Sequence, residues 1–289
     1  MEKIMSIACV LAAVDGSPES LRAVDWAVDD AFRRGARLRL VHASVWEQFE
    51  QETVDDIELA PERKAIEDIL DSAAERASAR RPGVAVDTEL LAEDVLSALL
   101  GLQRYSPLLV LGIRGHGGFP GLLLGSVSLR VAARAAYPVV VVRGEREPAE
   151  VGRGRVVLGV GSHDVSAAAE FAVEEAAGRH ADLELVHAWR PEIDMSGVSV
   201  VMDAGAAADR AQNLLGAVPL PETGVSGLRV RRNAVQGRSA SSLLRAAAGA
   251  DLLVLGARRR HEHPGLQLGS VSHAMLHHAP CPVAIVPAR

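Results

Sequence analysis

Short unbroken apolar runs alternate along this chain with longer stretches in which apolar residues recur every three or four positions. The first run ends near Val14. Ser17 and Pro18 then supply a cap and a first-turn proline for a helix whose inner face is Leu21, Val24, Ala27, Val28 and Ala31. A second strand is expected over 38–43. An acidic segment follows, with Glu47, Glu50, Glu52, Asp55, Asp56 and Glu58, most simply a solvated lid or crossover. Pro61 opens a helix running to about Ala79, and a third strand lies near 84–90. A helix over 93–103, a fourth strand from Leu108, a helix from Ser126 and a fifth strand over 139–142 complete the series. Strand–helix alternation with unbroken apolar strands predicts an α/β fold: a doubly wound parallel sheet with helices on both faces. Right-handed crossovers then place a ligand crevice outside the carboxyl ends of the first and fourth strands.

The whole pattern occurs twice. Leu40-Val41-His42-Ala43 returns as Leu185-Val186-His187-Ala188, and Leu108 to Gly112 returns as Leu252-Leu253-Val254-Leu255-Gly256. Pro120 to Ser128 returns as Pro264 to Ser272, so the offset stays near 145 residues and a whole domain is duplicated in tandem. The joint is the charged, Gly- and Pro-containing stretch 144–155, which divides the chain into domains 1–147 and 148–289.

Candidate chemistry sits in the loop after the fourth strand. Gly112, Gly115, Gly117, Gly118 and Gly121 crowd this turn, and Gly125 precedes Ser126, Val127 and Ser128 at the start of a helical pattern. Strand, glycine loop and helix N-terminus together make an anion cradle of backbone N–H groups. Lysine does not follow the last glycine, so this is not the nucleoside-triphosphatase P-loop. Across the crevice, Asp15 ends the first strand. Its carboxylate either accepts bonds from a ribose hydroxyl or adenine amino group, or caps the next helix.

The spacing Gly112-x2-Gly115-x9-Gly125-Ser126, with Asp15 after the first strand, resembles the universal stress protein family in its tandem form. That resemblance covers nearly the whole chain in two copies. It implies five parallel strands per domain in the order 3-2-1-4-5 and ATP as ligand. Carried over by position, it assigns adenine and ribose to Ala13, Val14, Asp15 and Ala43. It assigns the phosphates to Gly112, Arg114, Gly115, Gly125, Ser126, Val127 and Ser128, with His116 and Gly117 in the same loop. Arg114 would add charge-assisted bonds. It also implies that the two copies pair through their valine-rich final strands as an intrachain pseudo-dimer, and it leaves a homodimer open.

Copy two departs from the pattern. Gly256, Gly269, Ser270, Val271 and Ser272 are retained, and Ala188 matches Ala43. Arg259 stands where Gly115 stood, His261 and Glu262 replace Gly117 and Gly118, and Gly161 takes the place of Asp15 in a turn that reads one residue shorter. The second site is expected to be lost or weakened, although Arg259 could instead grip a phosphate.

Composition narrows the function classes. The formal net charge of −6 argues against a general nucleic-acid binder, and 3% aromatic content leaves no stacking platform. Cys9 and Cys281 lie in apolar runs and read as small core residues in a reducing, cytoplasmic setting. Lys3 followed by apolar residues imitates a secretory signal, but the same pattern recurs from Arg155, so strand one is the better reading, and neither run is long enough to span a membrane. His261, His263, His277 and His278 lack clean tetrahedral spacing, so no metal site is expected. The run Arg258, Arg259 and Arg260 reads as solvated loop. The leading expectation is an ATP-binding, non-catalytic regulator of stress response with an unknown protein partner. The alternatives are slow ATP hydrolysis or phosphotransfer, with His116 or Ser126 near the γ-phosphate and Mg²⁺ bridging oxygens, and a nucleotide-free scaffold.

Overall fold

The computed structural model describes residues 9–45, 60–105, 107–115, 124–143, 154–191, 204–221, 227–257 and 268–288. The signal-like stretch before residue 9, the acidic segment 47–58 and most of the 144–155 joint lie outside these residues. The chain divides into two compact units, one built on Met1–Arg143 and the other on Gly144–His263 and Leu268–Arg289.

The first unit runs β1 (Cys9–Ala13), α1 (Pro18–Arg34), β2 (Arg37–Ala43), α2 (Ala60–Arg80), β3 (Val86–Leu91), α3 (Val95–Gly101), β4 (Pro107–Gly112), α4 (Ser126–Arg134) and β5 (Val139–Val142). Its strands pair in parallel in the order β3-β2-β1-β4-β5, the expected 3-2-1-4-5. The central strands are aliphatic throughout. Val10, Leu11, Ala12, Leu108, Leu109 and Val110 are wholly inaccessible to solvent. Each buried valine or leucine contributes about 1.5–3 kcal/mol by leaving water, which explains why these runs carry no polar alternation.

Helix α1 shows how the local sequence aims its element. Ser17 caps it from extended backbone and accepts the Ser20 N–H, Pro18 occupies the first turn, and Gly35 ends it at φ 61°. The buried face is Ala23, Val24, Ala27, Val28 and Ala31, with Leu21 only half-buried. Two carboxylates are buried on the same helix. Asp30 accepts from Arg33 at 2.9 Å and Arg34 at 2.7 Å. Asp29 accepts from Arg80 at 2.8 Å and Arg81 at 2.7 Å. Arg76 adds a bidentate pair with Asp25 at 2.7 and 2.6 Å. Ion pairs therefore join α2 to α1 beside its apolar contacts.

Helix α3 is shorter than the apolar spacing predicts. Asp94 accepts the Leu96 and Ser97 N–H groups and starts the helix after itself. After Gly101 the chain tightens into a 3₁₀ turn over Leu102–Tyr105, which carries Leu102 fully into the core.

The second unit repeats the series as β6 (Arg155–Gly159), α5 (Ser166–Gly178), β7 (Asp182–Trp189), α6 (Ala204–Gly216), β8 (Val230–Gln236), α7 (Ser239–Ala247), β9 (Leu252–Ala257), α8 (Ser270–His278) and β10 (Val283–Pro287). Its sheet is parallel in the order β8-β7-β6-β9-β10, the same winding. Cys9 and Cys281 are buried and form no disulfide, and burial pushes the Cys9 thiol above its ordinary range. No helix among the described residues is long and apolar enough to cross a membrane.

Replacing Asp29 with alanine removes the shared acceptor of Arg80 and Arg81 from the α1–α2 contact. Because both guanidinium groups keep partial access to water, the expected loss is about 1–3 kcal/mol rather than the full cost of a stranded buried charge. Urea unfolding of Asp29→Ala against the parent chain measures it, and an unchanged midpoint would contradict this reading of the contact.

Candidate functional site

The first crevice begins where β1 stops. The Val14 N–H donates to Val41 at 2.9 Å, and His42 Nδ1 donates to the Val14 carbonyl at 2.8 Å. These bonds continue the sheet register one residue past the strand. The chain then turns through Gly16 at φ 82°, a left-handed conformation that favours glycine. Asp15 lies in this turn. One of its oxygens, Oδ1, accepts from the Ser17 N–H at 3.0 Å and from the Ser17 hydroxyl at 2.6 Å. Ser17 in turn caps α1. Asp15 is thus part of the helix cap.

It is also part of the crevice. A Cβ added to Gly115 would fall 2.1 Å from Asp15 Oδ2, so the loop backbone after β4 lies directly against this carboxylate. Gly115 is not among the glycines with positive φ, so the position demands space and not a special backbone conformation. Gly112 is required for a different reason. Its Cβ would meet the Glu19 carbonyl at 2.7 Å, because the first turn of α1 packs on the end of β4.

The loop returns through Gly125, whose N–H donates to Ile113 at 2.8 Å. Gly125 caps α4 from extended backbone and offers no side-chain acceptor to the first helical N–H groups. An open N-terminus of this kind favours an anion through its unpaired donors and the helix dipole. Ser126 and Val127 are exposed there. Ser128 is buried, and its hydroxyl donates to the Gly112 carbonyl at 2.8 Å. That bond ties α4 to the end of β4, so the Ser128 side chain serves the frame of the cradle. Ala13 and Ala43 are half-buried where β1 and β2 end, and Val14 is buried. His116 and Gly117 lie outside the described residues.

Arg114 reaches the mouth of this loop, with Nη2 3.7 Å from Glu19 Oε1. Glu19 also lies 3.4 Å from Arg22. Glu19 is the residue the sequence reading missed. Its signal was its place in the first turn of the helix that Asp15 and Ser17 cap.

The second unit repeats the frame and alters the contents. Val160 donates to Val186 at 2.9 Å and accepts from His187 Nδ1 at 2.8 Å, which makes Val160 the counterpart of Val14. The expectation of a turn one residue shorter is wrong. Helix α1 begins four positions after Val14, whereas α5 begins six positions after Val160. The loop is longer because the cap has moved outward. Asp164 Oδ1 accepts from the Ser166 N–H at 2.9 Å and hydroxyl at 2.6 Å, reproducing the bonds between Asp15 and Ser17. Those bonds hold the Asp164 carboxyl below the usual carboxylate range. The position beside Gly161 is occupied by His163. A Cβ on Gly161 would fall 2.6 Å from its ring. His163 Nε2 stands 3.4 Å from the Gly256 carbonyl at the end of β9.

At the other side, Gly269 caps α8 from extended backbone with no side-chain acceptor, as Gly125 does in the first unit. Ser270 is exposed, Val271 half-buried and Ser272 buried, and Ala188 is half-buried in β7. Arg259 and the neighbouring Arg258, Arg260, His261, Glu262 and His263 lie outside the described residues. His277 stacks on His273 with ring centroids 4.4 Å apart, and His278 is exposed.

The contact between Asp15 and Gly115 has a direct test. Gly115→Ala must displace the carboxylate or the loop, at a cost of about 1 kcal/mol if it loosens the Ser17 bonds. In an Asp15→Ala background that cost should largely vanish, because the side chain that clashes is gone. A double-mutant cycle by urea unfolding reads the coupling, and additive effects would contradict the contact.

The universal stress protein family profile matches the chain twice, over residues 9–143 and 152–287. A universal stress protein of Mycobacterium tuberculosis is 31% identical over 297 residues, covering 96% of this chain and 94% of its own. A second from the same organism is 30% identical over 289 residues, covering 96% and 95%. A solved universal stress protein from Archaeoglobus fulgidus superposes with a TM-score of 0.68 at 19% identity, over 97% of this chain and 98% of that one. The doubled profile falls on the two units whose winding, strand ends and glycine-capped helices are described above, and the chain belongs to the universal stress protein family.

Proposed function

We propose that the first unit binds ATP and that its occupancy, without fast chemistry, regulates a cytoplasmic stress response through a protein partner. The observation that carries this reading is the approach of the Gly115 backbone to the Asp15 carboxylate, opposite the uncapped N-terminus of α4. A carboxylate suits hydroxyl and amino donors, and bare helical N–H groups suit phosphate. The two chemistries at one crevice match the two ends of a nucleotide. In this reading Ala13, Val14, Asp15 and Ala43 hold adenine and ribose. Gly112, Arg114, Gly115, Gly125, Ser126 and Val127 hold the phosphates, and Ser128 supports them through Gly112. Arg114 would exchange its Glu19 neighbour for phosphate oxygen. The second unit, with domain limits 148–289 against 1–147, is the weaker or inactive site. The tandem repeat fits an intrachain pseudo-dimer, and pairing through the valine-rich final strands belongs to the same proposal.

ATP titrated into the freshly purified chain should give about one bound nucleotide per chain, and mass spectrometry of released nucleotide should identify adenine nucleotide. Two equal sites, or none, would overturn the reading. Gly115→Arg sharpens the test. A long side chain must enter where the Asp15 carboxylate lies, and losing two phosphate hydrogen bonds at about 1.5–3 kcal/mol each weakens binding at least about a hundredfold. The added charge recovers roughly 1 kcal/mol or less in a solvated loop. The variant should stay folded and lose its ATP-induced thermal shift. Parent-like affinity would remove Gly115 from the cradle.

A further inference from the structure

We infer that His163 is a built-in stopper of the second crevice, and that this imidazole keeps the second unit from taking the nucleotide that the first unit takes. The inference rests on the reading of the first crevice as an ATP site.

The ring lies between the two strand ends that define a ligand crevice in this winding. On one side it abuts Gly161, the residue after Val160 at the end of β6. There a Cβ would fall 2.6 Å from its Cε1 and 2.7 Å from its Nδ1. On the other side its Nε2 stands 3.4 Å from the Gly256 carbonyl, and a Cβ on Gly256 would fall 3.5 Å from the same nitrogen. Gly112, the counterpart of Gly256, instead has helix α1 backbone as its nearest neighbours, the Glu19 carbonyl and the Ser20 N. The extra loop length is what delivers the ring. With five residues between Val160 and the start of α5, the chain has room to send His163 inward and Asp164 outward to Ser166.

In the first unit one residue, Asp15, both caps the helix and lines the crevice. In the second unit those duties are divided. Asp164 keeps the bonds to the serine at the helix start, at 2.9 and 2.6 Å to Ser166, and is exposed. His163 takes the crevice side. With Nε2 donating to the Gly256 carbonyl, the ring closes the mouth with a bond to the protein's own backbone, and among the described residues no carboxylate takes the place of Asp15 to receive a ribose. The Gly269 cap leaves the α8 N-terminus as open as that of α4, so a helix end suited to an anion persists behind the inserted side chain.

The test is made in a full chain carrying Gly115→Arg and Arg259→Gly, so that ATP binding is assigned to a second unit relieved of its loop arginine, and compares that parent with the same chain carrying His163→Gly. Calorimetry and ATP-induced thermal shift should show binding at least about tenfold tighter in the His163→Gly chain than in its parent. Equal affinity in the two chains overturns the stopper. His163→Ser in the same background guards against a folding failure of the glycine variant and must show the same gain. The unsubstituted chain is titrated alongside. If it binds no ATP, the reading of the first crevice fails, and the stopper is still decided by the paired comparison.

Discussion

The first crevice depends on one close approach, the backbone at Gly115 against the Asp15 carboxylate. Asp15 cannot drift, because the Val14 bonds to Val41 and His42 set where the turn leaves the sheet, and the Ser17 bonds set the rotation of the carboxyl group. The backbone at Gly115, resting on so constrained a group, inherits its position. From there the chain returns through the Gly125 bond to Ile113 and enters α4 with its first donors uncovered. The sheet register of β1 thus reaches the cradle after β4 through a single polar side chain.

The glycines of this region meet different physical demands. Gly16 supplies a left-handed turn. Gly112 lets the backbone of α1 lie on the end of a strand, Gly115 admits a carboxylate, and Gly125 caps a helix without offering an acceptor. Substitution by alanine would violate the first by backbone strain and the second and third by collision. At Gly125 an added Cβ would come within 3.3 Å of the Ile113 carbonyl, a tight contact that a small shift relieves. A glycine-rich loop read as one flexible element hides this division of labour.

Much of the architecture was legible because both copies write their central strands in pure aliphatic runs, and a strand buried on both faces leaves no polar alternation to confuse the pattern. The helix Ala60–Arg80 was legible in its bounds, but its pairing with Asp25 and Asp29 was not. Arg76, Arg80 and Arg81 look like an ordinary solvated face until the fold brings them to α1 across some fifty residues of chain. At the site, Asp15 offered two roles that local sequence cannot separate, cap or ligand-facing group, and the geometry gives it both environments. Ser128 was grouped with the phosphate donors because it follows Gly125, but one turn of helix aims it back at Gly112. The second turn was misjudged because Gly161-Ser162 imitates Gly16-Ser17. Asp164 itself reads from the sequence as a helix-start residue, and it does bond Ser166 at the start of α5, while the N-cap position is Val165, which offers no side-chain acceptor.

The two copies also show why the aspartate is a demanding choice. A group that caps a helix and lines a crevice must satisfy both geometries at once, so the turn around it has only one workable length. Four positions separate Val14 from α1, and Asp15 reaches Ser17 and Gly115 from the first of them. Lengthening the turn breaks that coincidence. The local Asp-x-Ser pair moves outward to the helix start, as Asp164 and Ser166 do, although the N-cap there is Val165 and not the serine. The crevice face has no such freedom, since it is fixed by the ends of β6 and β9. Whatever residue the longer turn projects inward fills it, and here that residue is an imidazole able to bond the Gly256 carbonyl. Two added positions therefore leave the winding unchanged and keep an aspartate–serine pair at the helix start, while they replace the Ser17 cap with Val165 and alter what the crevice presents.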